Sequence, residues 1–217
     1  MKETHFSIKE VLKTGWEGWK QHWGLWIAIV AISFLLGSVS NIGGLEAFKN
    51  SPIAQSLFQI LGIILGSYAG LGLTNVALKV AKNESVALSD YFDTFSYFWR
   101  YLLGQILYYV AVTIGVFLLI VPGIIVALKF FLFPYFIIEK NMGVIDSFKA
   151  SNKAIYGSKS NLLLFGILGM LINILGLICF GVGLFISIPI VSIAQAAIYK
   201  IVTSQIEGKD LPLVTES

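Results

Sequence analysis

The sequence predicts an all-α polytopic membrane protein: six transmembrane helices form three hairpins, each preceded by an interfacial amphipathic helix. Three observations carry this prediction. Of the 217 residues, 57% are apolar and 12% are charged, against roughly 25% charged in soluble domains. Mean hydropathy is +0.83. The charges fall in blocks that alternate with pairs of long apolar runs. A soluble domain of this size would need a polar shell that this composition does not supply.

The first element is an amphipathic segment. At helical spacing, Ile8, Val11, Leu12, Trp16, Trp19 and Trp23 share one face, and Lys9, Glu10, Lys13, Glu17 and Lys20 lie elsewhere. The apolar runs Gly24–Gly43 and Ile53–Leu78 follow, joined by the longer loop Leu45–Pro52. Both runs reach the ~20 residues that cross ~30 Å of hydrocarbon. In the second segment Leu88, Phe92, Phe95, Trp99 and Leu102 oppose Asp90 and Asp93. The runs Tyr101–Val121 and Gly123–Ile138 meet at the tight turn Val121-Pro122-Gly123. The fourth run is short, about 24 Å at ~1.5 Å per residue, and needs thinned bilayer or shielding neighbours. In the third segment Ile145, Phe148, Asn152, Ile155 and Tyr156 oppose Asp146, Lys149 and Lys153. Asn161–Phe180 and Gly183–Val202 complete the set, turning at Phe180-Gly181-Val182-Gly183. Segments with such faces lie in the membrane interface, where Trp and Tyr are favoured.

Basic residues set the orientation. One side holds Lys2, Lys9, Lys13 and Lys20, then Lys79, Lys82 and Arg100, then Lys140, Lys149, Lys153 and Lys159, and finally Lys200 and Lys209. The other side holds only Lys49, and Lys129 lies inside span four. The positive-inside rule places both termini in the cytoplasm. Ser38-Val39-Ser40 follows an apolar run, but the long region before it carries Glu3, Glu10 and Glu17. A cleavable signal starts short and basic, so the first span is expected to be retained.

The three amphipathic segments align in register: Glu10 with Asp90 and Asp146, Leu12 with Phe92 and Phe148, Trp19 with Trp99 and Ile155. This spacing predicts one membrane domain, 1–205, built from repeat-like units at about 6–82, 86–139 and 143–205. A polar cytoplasmic tail, 206–217, is expected to be disordered.

A further pattern runs from Val121 to Val202. It comprises Pro122-Gly123, the basic Lys129, Pro134-Tyr135, Glu139 and Gly143, then Asp146 to Lys153, and a glycine-rich hairpin from Gly181 to Pro189. This stretch resembles the membrane-domain family of glycerophosphoryl diester phosphodiesterases and its stand-alone, uncharacterised six-helix bacterial relatives. The first half of the chain resembles that family in layout only. The resemblance implies a bacterial cytoplasmic (inner) membrane. The enzymatic activity is not expected to carry over, because only a short polar tail follows the last span.

Lys129 is the residue that the charge blocks leave unexplained. It lies about 9 Å along the helix from Gly123. An ionisable group at such depth marks a ligand site by default, here for a lipid phosphate or an anionic substrate. With no Asp or Glu inside a span, its expected partners are Asn173, Gln195, Gln105 or backbone carbonyls, and Tyr135 joins Lys129, Asn173 and Gln195 as a candidate ligand-binding residue. Alternatively, Lys129 snorkels toward the outer face. Pro134 and Pro189 should kink spans four and six. Gly62, Gly66 and Gly70 form a close-contact stripe on span two. Asn75, Gln59 and Gln105 are expected to bond between helices. Cys179, the only cysteine, is expected to be a small buried hydrophobe.

Nothing in the sequence points to catalysis. His5 and His22 make no metal motif, and no span pairs carboxylates; acid–base chemistry or metal ligation in the membrane normally needs such groups. No enzyme activity, metal, cofactor or nucleic-acid partner is expected. The expected role is non-catalytic: organising or sensing lipids, or supporting a membrane complex. Membrane lipids are then the main partners, with other membrane proteins a second class. The alternative is a small transporter or lipid-handling carrier with its site near Lys129.

Overall fold

The computed structural model describes residues 5–48, 50–179 and 181–207. The tail beyond residue 207, Lys2, Lys49 and Phe180 of the last turn lie outside them. Among the described residues ten α-helices follow one another: α1 Ile8–Gln21, α2 Trp23–Ile42, α3 Pro52–Ala81, α4 Ser89–Phe92, α5 Phe95–Leu118, α6 Ile120–Phe130, α7 Phe133–Lys140, α8 Val144–Ala154, α9 Lys159–Ile178 and α10 Leu184–Glu207. A single 3-10 turn, Glu46–Phe48, lies between α2 and α3. Among the described residues there is no strand. Six stretches are long and apolar enough to cross a membrane: α2, α3, α5, α6 with α7, α9, and α10 to Ile206.

Local chemistry explains the boundaries. Ser7 caps α1 by accepting the Glu10 N–H, and Ser51 caps α3 by accepting the Ala54 N–H. Pro52 then occupies the first turn of α3, where a missing N–H costs nothing. Asn141 ends α7 with φ 50°, and Asn83 follows α3 with φ 60°; asparagine tolerates this left-handed geometry better than most residues.

Helices that are neighbours in sequence pack as pairs: α2 on α3, α5 on α6, α9 on α10. Small residues let each pair close. A Cβ on Gly62 would lie 2.6 Å from the Ser40 backbone nitrogen, one on Gly115 2.8 Å from the Gly123 Cα, and one on Gly176 3.0 Å from the Gly183 carbonyl. Much of the buried core lies on Leu71 to Ala81 of α3, on Phe133 to Ile138 of α7, which continues α6, and on Val191 to Val202 of α10. The other ends of the pairs keep their apolar side chains outside. Phe117, at 91% exposed, and its neighbours Leu118 to Val121 form a wholly apolar tip, as expected of surface bathed by hydrocarbon.

Several boundaries differ from the sequence expectation. The turn between spans three and four falls at Leu119, whose backbone is extended (φ −167°, ψ 149°). Pro122 lies in the first turn of α6, where an N–H would have no helical acceptor anyway, and the Gly123 N–H donates back to the Leu119 carbonyl at 3.4 Å. Lys129 is therefore ten residues from the turn, about 15 Å rather than 9 Å. The second amphipathic segment is not one helix. After α4 the chain turns at Asp93 and Thr94, and Trp99 and Leu102 belong to α5. Cys179 is exposed, not buried, because it sits just past α9 at the outward end of its pair.

The connector helices bury part of the faces that the apolar spacing predicts, with Val11 and Ile155 buried and Ile8, Leu12 and Trp19 packed against the core, and small residues outside those faces besides. On α1 the fully buried positions are Val11, Gly15 and Gly18; on α8 they are Ser147, Ser151 and Ala154. Trp16, Trp23, Ile145 and Tyr156 stay exposed. Small residues bring each connector close to a spanning helix and leave its bulky residues pointing outward. α1 packs along α10, joining the two ends of the chain. The His5 N–H donates to Gln205 Oε1 and Gln205 Nε2 donates to the His5 carbonyl, while Asn161 Nδ2 donates to the Phe6 carbonyl.

Pro189 lies inside a continuous α10. Its missing N–H leaves the Phe185 carbonyl without its usual donor, and the Trp19 indole supplies one at 3.2 Å. Trp19→Phe keeps an aromatic ring and removes the donor, so it should cost about 1–2 kcal/mol, read as a lower midpoint in denaturant unfolding.

Candidate functional site

Span four is broken. α6 ends at Phe130, α7 begins at Phe133, and Phe131 and Leu132 form the gap. Pro134 sits in the first turn of α7, so it starts a new helix rather than kinking an old one. The break frees backbone groups that a bilayer cannot satisfy. Ser151 of α8 takes up two of them: its Oγ accepts from the Leu132 N–H at 3.1 Å and donates to the Lys129 carbonyl at 2.9 Å. The serine is fully buried. Apolar spacing does not single it out in the third segment. The Ser147, Ser151, Ala154 run of small residues at helical spacing was the available signal.

Lys129 lies in the last turn of α6 and is half-buried. Its candidate companions lie on three other helices, α7, α9 and α10. Tyr135 is buried in the core, stacked on Tyr199 with centroids 5.2 Å apart. Asn173 is on α9 and Gln195 on α10. Gly169 meets Val191 and Gly176 meets Gly183, a pairing that sets Asn173 level with Ser187. Gln195 is then eight residues further, about 12 Å. Asn173 Oδ1 and Ser187 Oγ are both buried without a bond partner among the described residues.

The glycine stripe also divides. Gly62 packs against Ser40, Gly70 sees only the Tyr101 hydroxyl at 3.1 Å, and Gly66 faces open space. Gly66 opens a groove of about 350 Å³ between α3 and α5, lined also by Ile63, Ser67, Leu102, Gln105, Ile106 and Tyr109. Its polar floor is bonded: Gln105 Nε2 donates to the Tyr101 hydroxyl at 2.7 Å, and Ser67 Oγ to Gln105 Oε1 at 3.5 Å. Asn75 donates to the Asp90 carbonyl, while Gln59 is exposed. A second groove, about 310 Å³, lies between α6 and α9.

Charged side chains tie the helix ends together where α3, α7 and the connectors meet. Lys79 pairs with Asp90 at 2.6 Å and Lys82 with Glu139 at 2.5 Å. Arg100 donates to the Asn141 carbonyl and its Oδ1, and Lys200 to the Ala81 carbonyl. Partial burial pushes the Asp90 carboxyl up, but the Lys79 ammonium and the Ala87 N–H outweigh it and hold the group below its ordinary 3.8. Burial likewise works to lower Lys82, but Glu139 and Glu84 outweigh it and hold the amine above its ordinary 10.5. The signs follow from linkage. A depressed carboxyl stabilises the fold above its unfolded value, and that contribution is lost as pH falls through the folded one. A raised amine stabilises below its unfolded value, and that contribution is lost as pH rises through the folded one. Thermal unfolding scans should therefore show a plateau that declines below about pH 4 and above about pH 10.5. Asp90→Asn should remove the part of the acid-side decline due to this pair.

No group of His, Cys, Asp and Glu among the described residues is placed to hold a metal. No family model matches the chain, no curated protein matches its sequence, and no solved structure matches its fold. The fold alone defines a class: an all-helical chain with six helices long and apolar enough to span a membrane.

Proposed function

We propose that this chain is a non-catalytic multi-pass protein of the bacterial cytoplasmic membrane that organises its lipids. Both termini face the cytoplasm. The chain is three copies of one unit, each an interfacial amphipathic helix leading into a hairpin, and it is a relative of the phosphodiesterase membrane-domain family. The observation that carries this reading is the outward display of bulky residues beside the charged helix ends. Trp16, Trp23, Phe92, Phe95, Trp99, Ile145 and Tyr156 are all exposed there, on or next to connectors whose small residues face the bundle. Aromatic residues in that setting belong at headgroup depth. The repeat reading draws support from the cyclic packing: α4 lies on α3, α8 on α6 and α7, and α1 on α10. Each connector thus meets the second helix of the preceding pair, with the first unit closing on the last. Asn173 and Gln195, expected together at a carrier site, lie about 12 Å apart along α9 and α10, which supports lipid organisation over transport.

Deuterium order parameters in reconstituted vesicles test the proposal. The protein should raise acyl-chain order near the headgroups without any added solute. The combined variant Trp16→Ala, Trp23→Ala and Trp99→Ala, with helix content unchanged by circular dichroism, should lose at least about half of that effect. Unchanged order in the variant would sink the reading.

A further inference from the structure

We propose that the groove between α6 and α9 binds one chain of an anionic phospholipid whose phosphate pairs with Lys159. The inference deepens the lipid reading and rests on it. One wall is the strip Val121, Ile124, Ile125 and Leu128, which recurs every three to four residues along two turns of α6. Leu163 of α9 supplies the other, and Lys159 and Ser160, the first residues of α9, give the only polar lining. The Lys159 ammonium is exposed and has no ion-pair or hydrogen-bond partner among the described residues. An apolar trough with a cation at one end matches one amphiphile: an acyl chain below a negative headgroup.

Charge decides against the other occupant that an apolar groove admits, a second copy of this chain. The helices α2, α3, α5, α6 and α9 contain no Asp or Glu, so their apolar faces offer Lys159 no counter-charge. A zwitterionic lipid fills the trough equally well but answers the lysine less well, because its own ammonium competes for the phosphate. A lysine at headgroup level gains from an anionic lipid, and its stem packs on the apolar wall.

The corresponding seam between α3 and α5 has a groove of the same kind with a different end. Its lining positions Ile63, Gly66, Ser67, Leu102 and Gln105 correspond, at one constant offset in sequence, to Val121, Ile124, Ile125, Ser160 and Leu163, and none of its lining residues takes the place of Lys159. That groove carries no cation, so the geometry assigns headgroup selectivity to the α6–α9 seam alone.

Native mass spectrometry of the whole protein, exchanged into micelles doped with phosphatidylglycerol or phosphatidylcholine of matched chains, tests this. Wild type should retain phosphatidylglycerol about tenfold better, the effect of one charge-assisted contact. Lys159→Gln should remove that preference while leaving phosphatidylcholine retention unchanged. Ile125→Trp, which fills the trough, should reduce retention of both. Excess inorganic phosphate should not displace the lipid. Three results would overturn the proposal: an intact preference in Lys159→Gln, a preference lost in Lys129→Ala instead, or displacement by free phosphate. If the order-parameter effect persists while the preference is absent, this site fails and the broader reading stands.

Discussion

Ser151→Ala should destabilise the protein by about 2–4 kcal/mol, at roughly 1–3 kcal/mol for each buried backbone group left unbonded. The variant removes one hydroxyl and strands two partners, the Leu132 N–H and the Lys129 carbonyl. Both belong to a break in a spanning helix, where neither water nor a continued helix can replace the lost bonds. Two readouts separate this from ordinary loss of packing. The Leu132 amide should exchange its hydrogen markedly faster, and the unfolding midpoint should fall. Ser147→Ala is the control. Ser147 is equally buried, but its hydroxyl bonds only to Val144 within its own helix, so its loss should cost under about 1 kcal/mol. Equal effects from the two variants would mean that Ser151 does not hold the break.

The second large effect is expected at Gly15, where α1 crosses α10. A Cβ there would press on the Ile190 backbone, 3.2 Å from its carbonyl carbon. Backbone cannot move aside as a flexible side chain can, so Gly15→Leu must push α1 off. The cost should be about 3 kcal/mol, the upper end for overpacking. The N-terminal segment should also become sensitive to protease, because its bonds to Gln205 and Asn161 depend on α1 staying docked. Gly24→Leu, at a position with open space around it, should change stability by less than about 0.5 kcal/mol. Protease resistance and stability like wild type in Gly15→Leu would contradict the docking of α1.

The spans were legible in the sequence because hydrocarbon imposes a simple demand: runs such as Trp23–Ile42 and Lys159–Ile178 must be long and nearly free of charge. Details that depend on tertiary contact were not. Val121-Pro122-Gly123 looks like a turn, yet the chain reverses at Leu119, because a proline fits the first turn of a helix as readily as it fits a loop. The break at Phe131 has a local marker in Pro134, but what holds it is not local. It depends on Ser151, twenty-two residues beyond Lys129. Gly66 and Gly62 read alike in sequence, but only Gly62 has a partner at close range. Lys159 reads in sequence as one more basic residue at the start of a span; the groove beside it is what makes it a candidate.

The measurement that bears most directly on the account is the depth of the connector aromatics in a bilayer. Single-tryptophan variants that retain Trp16, Trp23 or Trp99 can be reconstituted with lipids brominated near the headgroup, at mid-chain or at the chain end. All three residues should be quenched most strongly by bromine near the headgroup, and the buried Trp26 should be quenched little by any. Strongest quenching at the chain end, or none for the three exposed residues, would contradict a collar of aromatic connectors in one membrane interface.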